Sequence, residues 1–154
     1  MPVPIARYFG SAVLGLVALS GAARTAGPQA PRLELTYLAN MGVLLDGGDR
    51  RIVIDGLHRG ALAEYASVPP ALLAALERAE GAFRSLALVL TTHRHLDHFD
   101  AGSVASRLRA DSQVIYVAAQ ETVDSLFART GLGADHPRVR GVVPPTHGTV
   151  RIEA

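Results

Sequence analysis

The segment LALVLTTHRHLDH, residues 86–98, decides how the rest of the chain is interpreted. Its first five residues are all apolar, which is typical of a strand that is buried on both faces of a sheet. Three histidines and one aspartate then follow within residues 93–98, in the spacing HxHxDH. The segment therefore predicts a buried strand that ends in a cluster of chemically active side chains.

The residue types in this cluster favour a metal site. Side chains alternate along extended backbone, so His93 and His95 would point the same way and hold one ion, while Asp97 and His98 at the following turn would face a second ion. Imidazole nitrogen and carboxylate oxygen, with no sulfur, suit Zn²⁺ or a similar divalent cation. The alternative is a polar strand end that binds nothing, and three histidines in this spacing make it the weaker explanation.

The spacing also carries a family resemblance. Residues 93–98 match the HxHxDH signature of the metallo-β-lactamase superfamily at every fixed position, and in this respect the chain resembles that superfamily. Residues 38–45 (LANMGVLL), followed by residues 51–55 (RIVID), are similar to its N-terminal hairpin, which ends in an aspartate beneath the site. The continuation at residues 98–100 (HFD) is similar to the broad branch of metal-dependent hydrolases rather than to the antibiotic-destroying members.

The resemblance implies a fold, a cofactor and an activity. The fold would be α/β, the N-terminal half of an αββα sandwich of the metallo-β-lactamase type. Two zinc ions would activate a water molecule that attacks an ester, lactone, thioester, amide or phosphodiester bond of a small-molecule substrate, without a protein nucleophile.

The resemblance also assigns roles to individual residues. His93 and His95 would ligate the first metal, and Asp97 and His98 the second. Asp97 would in addition be the catalytic residue that orients the attacking water. Asp55 would lie beneath the site, although an aspartate at a strand end is equally typical of a turn.

The chain departs from the superfamily's ligand set. Members have a third histidine on the first metal, a later bridging aspartate and a last histidine on the second metal, whereas the later histidines here are His136 and His147. His136 is expected in a loop. The third ligand would be either His147 or a residue beyond Ala154, so residues 33–154 are expected to form a metallo-β-lactamase-like domain that is truncated at its C-terminus.

Two other functions stay open at this point. The chain would be a non-catalytic metal-binding or partner-dependent half-domain if the missing ligands and the cover of its sheet come from a homodimer or from a C-terminal partner segment. It would be a small structural protein if the histidine spacing arose by chance.

The remaining pattern predicts alternating strands and helices, which is typical of an α/β domain. Residues 61–65 are expected to form a helical turn, and residues 149–152 the start of another strand. The other expected strands are residues 33–37, 43–46, 51–55, 86–90 and 113–118, and the expected helices are residues 69–80, 101–109 and 120–129.

The N-terminal 32 residues resemble a targeting segment. Residues 9–19 form an apolar run of eleven residues, followed by small side chains at residues 20–22. This layout predicts a cleaved signal peptide over residues 1–22, a linker over residues 23–32, and export to the periplasm or the medium. The run is too short to span a bilayer, so no stable membrane anchor is expected. An uncleaved N-terminus is the alternative.

The composition of the chain excludes several classes of protein function. The chain has 154 residues with 15 basic and 14 acidic side chains and a formal charge of +1, so it lacks the basic field expected of a nucleic-acid-binding protein. The absence of cysteine excludes a disulfide framework and a thiol nucleophile.

Two residues near the motif have alternative roles: His58 lines the cleft or lies in a surface loop, and Arg94 clamps substrate or is solvated. Thr92 is expected to satisfy the hydrogen bonds at the end of the strand. For His58 and Arg94 the solvent-exposed position is the expected one.

Overall fold

The fold is known from a computed structural model of the chain, which describes residues 32–60 and 63–143. Within these residues the chain forms a six-stranded mixed sheet with three α-helices, which confirms the α/β prediction. The predicted signal peptide, the linker up to Pro31, His147 and the strand expected at residues 149–152 lie outside the described residues. No described helix is both long and apolar enough to cross a membrane.

The elements follow the predicted order closely. A short 3₁₀ turn, Gly81–Phe83, precedes β4. The strands are β1 (Glu34–Ala39), β2 (Gly42–Asp46), β3 (Arg51–Ile54), β4 (Leu86–Thr91), β5 (Ile115–Ala119) and β6 (Val139–Val142), and the helices are α1 (Pro70–Glu77), α2 (Ala101–Ala110) and α3 (Gln120–Thr130).

The strands lie side by side in chain order. β1, β2 and β3 are joined by antiparallel hairpins, whereas β3 to β6 run parallel and are connected through α1, α2 and α3. Parallel connections in one sheet are right-handed, so three successive crossovers in the same direction place their helices on one face. The core lies between that face and the helices and includes Val53, Val89, Tyr116, Leu76, Leu108 and Leu126.

The opposite face of the sheet is apolar and is not covered by any described element. Leu35 and Tyr37 on β1 are 64% and 62% exposed, and Leu88 and Leu90 on β4 are only half-buried. The prediction that residues 86–90 are buried on both faces is therefore wrong for the described part of the chain. The face continues across the sheet through Val43, Leu45, Ile52, Ile54 and Ile115.

Two other expectations need correction, and one strand was not predicted. The helix predicted to end at Glu80 ends at Glu77, because Ala79 adopts a left-handed conformation with φ of 58°. Residues 63–65 of the expected helical turn form a bend without helix. β6 was not predicted, since its sequence VRGV has neither an apolar run nor a clear alternation.

A buried arginine fixes α2, the helix that follows the histidine motif. Arg107 is 1% exposed and donates from Nη1 to the carbonyl oxygens of Leu76 and Phe83, at 3.2 and 2.6 Å. Its Nη2 pairs with Asp111. Burial lowers the pKa of Arg107, and the neighbouring carboxylate opposes this effect. The guanidinium thus ties α2 to the end of α1.

Candidate metal centre

The candidate site lies at the carboxyl ends of β3 and β4. These parallel strands are paired up to Ile54 and Leu90, and the backbone N–H of Asp55 continues the ladder by donating to the Leu90 carbonyl at 2.9 Å. Asp55 and the histidine motif therefore leave the sheet at the same edge. Such strand ends are the usual place for ligands in open α/β sheets.

Asp55 is the buried acceptor at the base of the site. Its side chain accepts from the Thr92 N–H at 2.8 Å, from the Thr92 hydroxyl at 2.7 Å and from Nδ1 of His98 at 2.9 Å. Asp55 is only 3% exposed and has a positive φ of 49°, a conformation that few non-glycine residues adopt. The expected position of Asp55 beneath the motif is the one observed.

These hydrogen bonds fix which ring nitrogens are free. A carboxylate only accepts, so Nδ1 of His98 carries the proton and its Nε2 presents a lone pair. The Thr92 hydroxyl uses its proton on Asp55, so Nδ1 of His93, 3.1 Å away, donates to that oxygen, and Nε2 of His93 faces Nδ1 of His95. A ring that donates to a protein acceptor through one nitrogen can bind a metal ion through the other.

The motif residues come together as two pairs of donor atoms. Nε2 of His93 lies 3.1 Å from Nδ1 of His95, and Nε2 of His98 lies 3.5 Å from Oδ2 of Asp97. Two ligands of one tetrahedral zinc ion, each at about 2.0–2.1 Å, lie roughly 3.3 Å apart. The His93 ring contacts both other rings, with centroids at 4.5 Å from His95 and 4.0 Å from His98, so the pairs are adjacent.

A set of three donors is not present among the described residues. No three or more His, Asp or Glu side chains in residues 32–60 and 63–143 are arranged to hold an ion together. This absence is compatible with the two short distances between donor atoms, because zinc uses four ligands and each pair would supply two of them. What the described residues present is two pairs of candidate donor atoms.

Electrostatics at the centre favour the ligand forms of its side chains. Burial lowers the pKa of His93, and the neighbouring His98 and His95 add to this effect. Burial alone would raise the pKa of Asp97, but the backbone amide, the His98 ring and the Asn40 amide outweigh it, and the pKa falls. At neutral pH the site therefore holds a neutral imidazole and an ionised carboxylate, as metal binding requires.

His58 lies inside the molecule and not in a surface loop. It is fully buried just after the Asp55 turn, and its Nδ1 accepts from the Gly60 N–H at 3.2 Å while its Nε2 has no hydrogen-bond partner. Burial lowers the pKa of His58. The expectation of a surface histidine was wrong because the loop is tied down by a hydrogen bond from the Asp100 N–H to the Leu57 carbonyl at 2.8 Å.

Asn40 is a site residue that sequence reasoning missed. It follows β1 in the two-residue loop of the first hairpin, with φ of 46°, and its Nδ2 lies 3.2 Å from both the backbone oxygen and Oδ2 of Asp97. Asparagine after a strand is a turn signal and gives no indication of a contact 57 residues away. Only the folded hairpin places it against the motif.

Two other predicted candidates lie away from the donor pairs. Arg94 is exposed and forms a long ion pair with Glu121 at 3.8 Å, which agrees with the expected solvated position. His136 lies in the loop before β6, as expected, where its Nδ1 accepts from the Arg138 N–H. Neither residue is brought to the motif.

An apolar recess of about 200 Å³ opens beside the motif, at the ends of β4, β5 and β6. Its wall begins at Thr92, next to His93, and continues across the sheet edge. This recess would suit the non-reacting part of a small molecule whose polar part lies at the histidines. It is lined by Leu90, Thr91, Thr92, Val117, Ala118, Ala119 and Val142.

Neither the protein-family models nor the curated protein sequences compared with this chain give a match.

Proposed function

We propose that the chain is a zinc-dependent hydrolase of the metallo-β-lactamase type, acting on an ester, lactone, amide or phosphodiester bond of a small molecule. One observation carries the proposal. The motif residues form two donor pairs, His93 with His95 and Asp97 with His98, at 3.1 and 3.5 Å. This is the division of ligands between two ions that the resemblance at residues 93–98 implies.

The residues present fit zinc. The donors are ring nitrogens and a carboxylate oxygen, their separations are close to those of neighbouring ligands on a tetrahedral ion, and their pKa shifts favour the binding forms. When bound, zinc would lower the pKa of water and polarise the bond to be cleaved.

The protein's own side chains would prepare this chemistry. Asp55 holds the His98 ring in the tautomer whose Nε2 is free, and the Thr92 hydroxyl accepts from Nδ1 of His93. Ionised Asp97 would accept a hydrogen bond from the attacking water and orient it. The apolar recess beside Thr92 would hold the rest of the substrate and exclude solvent from it.

We also infer that the sheet is one half of an αββα sandwich. The three described helices cover one face, and the other face carries exposed Leu35 and Tyr37 beside half-buried aliphatic side chains. A second sheet packed about 10 Å away would bury this face. Its strands would also be in a position to bring the further ligands that the two donor pairs need.

A second candidate function follows from the same open face. The chain would be a partner-dependent half-domain, which binds metal only when a second copy or a C-terminal partner segment covers the sheet. Among the described residues no third donor joins either pair, and this favours the half-domain. The two functions differ in whether the chain by itself hydrolyses a substrate.

Export is part of the proposal. Residues 1–22 have the charge and hydrophobicity pattern of a signal peptide, with small residues at positions 20–22. Mass analysis of the chain recovered from the periplasm of a bacterial expression host would show cleavage after Ala22. Recovery of the intact chain from the cytoplasm would contradict export.

Activity should be tested with zinc-loaded protein on four chromogenic substrates, one each with an ester, a lactone, a β-lactam and a phosphodiester bond. We expect turnover of at least one, its loss on chelation, and a decrease of about 10²-fold or more for Asp97→Asn. Arg94→Ala, which changes an exposed neighbour, is the matched control. Turnover that survives chelation would contradict the proposed reaction, and zinc that is bound only by the self-associated chain, without turnover, would support the half-domain.

A further inference from the structure

We propose that Asn40 is a positioning residue for Asp97, and that the first hairpin of the sheet in this way takes part in the metal centre. The inference rests on the proposed function, since it assigns Asn40 a role through a residue that would ligate zinc. It is carried by one contact: the Asn40 amide lies 3.2 Å from both the backbone oxygen and Oδ2 of Asp97.

The two hydrogen bonds together restrain the Asp97 side chain. One amide nitrogen with two N–H donors contacts both the carbonyl and the carboxylate of Asp97, which ties that side chain to its own backbone. Oδ2 is also the oxygen that pairs with Nε2 of His98 at 3.5 Å. Asn40 therefore holds the oxygen that would coordinate the ion, and leaves it a further lone pair for that ion.

The hairpin that carries Asn40 is a fixed support. Ala39 is 2% exposed and pairs with Gly42 across the loop. A Cβ atom at Gly42 would lie 3.0 Å from the Asp55 carbonyl oxygen, so the hairpin packs directly against the turn beneath the site. A ligand positioned from such an element is held more precisely than one positioned from a free loop.

A role confined to the turn does not account for the contact. An asparagine that only forms a turn bonds its own neighbouring backbone, whereas the Asn40 amide reaches a residue 57 positions away. Its positive φ of 46° is well tolerated by asparagine and by glycine. Asn40→Gly therefore removes the amide without straining the hairpin and is the most informative substitution.

The test is zinc affinity of the full chain, measured by competition with a chromophoric chelator, with thermal unfolding as the second readout. We expect Asn40→Gly to weaken zinc binding by about 10- to 100-fold, the usual effect of losing a group that orients a ligand. The unfolding temperature should change little. Met41→Ala, which changes the exposed neighbour in the same loop, should bind zinc like the unsubstituted chain.

A double-mutant cycle separates positioning from a general structural role. If Asn40 acts through Asp97, Asn40→Gly should weaken zinc binding much less in an Asp97→Ala chain than in the unsubstituted one. Equal losses in both backgrounds, or unchanged affinity of Asn40→Gly, would overturn the inference and leave the proposed function standing. A folded, unsubstituted chain that binds no zinc would overturn both.

Discussion

Asp55 shows how a single buried carboxylate determines the chemistry of its neighbours. By accepting from the Thr92 amide, the Thr92 hydroxyl and the His98 ring, it fixes the proton positions on both His98 and His93. The chain adopts an unfavourable backbone angle at Asp55, where φ is 49°. Residues held in such conformations are concentrated at functional sites.

Asp55→Asn tests this arrangement. The new amide can point a donor at Nδ1 of His98, which would then give up its proton and place it on Nε2, the atom needed for zinc. We expect zinc affinity to fall by about 10- to 100-fold, measured by chelator competition. Asp124→Asn, at an exposed position on α3, is the control. Unchanged affinity in Asp55→Asn would show that the hydrogen bond does not set the tautomer.

His58 predicts a pH dependence of folding. Its pKa is lowered in the folded state, so between that value and about 6.5 the unfolded chain binds more protons. The free energy of unfolding should therefore decrease as pH falls through this window. Above a pH of about 6.5 the contribution of His58 to stability is complete and no longer changes with pH. His58→Gln should reduce the slope, which urea unfolding at several pH values would measure. An unchanged slope would contradict a burial effect on His58.

At the scale of single residues, the sequence predicted the site residues that are neighbours in the chain and missed those that come from distant segments. Residues 93–98 could be predicted as one cluster because a strand end and a turn are enough to bring them together. Asn40 and His58 could not, because their positions depend on a hairpin and a loop that pack against the motif only after folding. No alternation or spacing in their own segments contains that information.

The end of α1 illustrates the same limit for a secondary-structure element. The helix was expected to run to Glu80, but Ala79 adopts the left-handed conformation and ends it earlier. The Glu80 N–H donates to the Ala75 carbonyl at 2.9 Å and the Ala79 N–H to the Leu76 carbonyl at 3.4 Å. This is the Schellman arrangement, which usually has glycine at the position of Ala79.

Ala79→Gly should therefore stabilise the protein. Removing the Cβ atom relieves the left-handed strain, and we expect a gain of about 1 kcal/mol in the free energy of unfolding. Ala74→Gly, the same change within α1, should instead lose about 1 kcal/mol. Urea unfolding of both variants measures the difference. A loss of stability in Ala79→Gly would contradict the assigned helix end.

β4 and β5 were easier to predict than β6 for a physical reason. β4 and β5 carry enough apolar side chains to be recognised, while β6 has exposed Arg140 and Gly141 and is formed by backbone pairing with β5. Edge pairing of this kind depends on hydrogen bonds that any sequence without proline can make. Side-chain patterning therefore gives little indication of β6.

At the scale of the whole molecule, the main consequence of the fold is a sheet face that residues 32–60 and 63–143 leave uncovered. The sequence predicted an α/β domain with a central strand buried on both faces, whereas the described residues leave one apolar face exposed, with Leu35 and Tyr37 at its edge. Contiguous apolar surfaces of this kind mark interaction sites. A cover from a second copy would explain why the strands remain apolar on both sides.

Self-association tests this explanation. We expect the chain to associate in a concentration-dependent way, and the double substitution Leu35→Thr with Tyr37→Thr to weaken association by about 10-fold or more, because it removes exposed apolar area. Light scattering after size-exclusion chromatography measures both. Tyr65→Thr, at an exposed aromatic residue outside the sheet, is the control. A chain that stays monomeric at all concentrations would contradict a cover by a second copy.

The most direct test of the central claim is the zinc content of the purified full chain, compared with His95→Ala, after equilibration with a low concentration of zinc. The claim predicts bound zinc in the unsubstituted chain and a loss of at least 10-fold in affinity for His95→Ala, with the fold retained because His95 is exposed and outside the core. Equal zinc binding in both proteins would contradict the claim that residues 93–98 form a metal centre, and a folded chain that retains no zinc would contradict a centre that this chain completes without a partner.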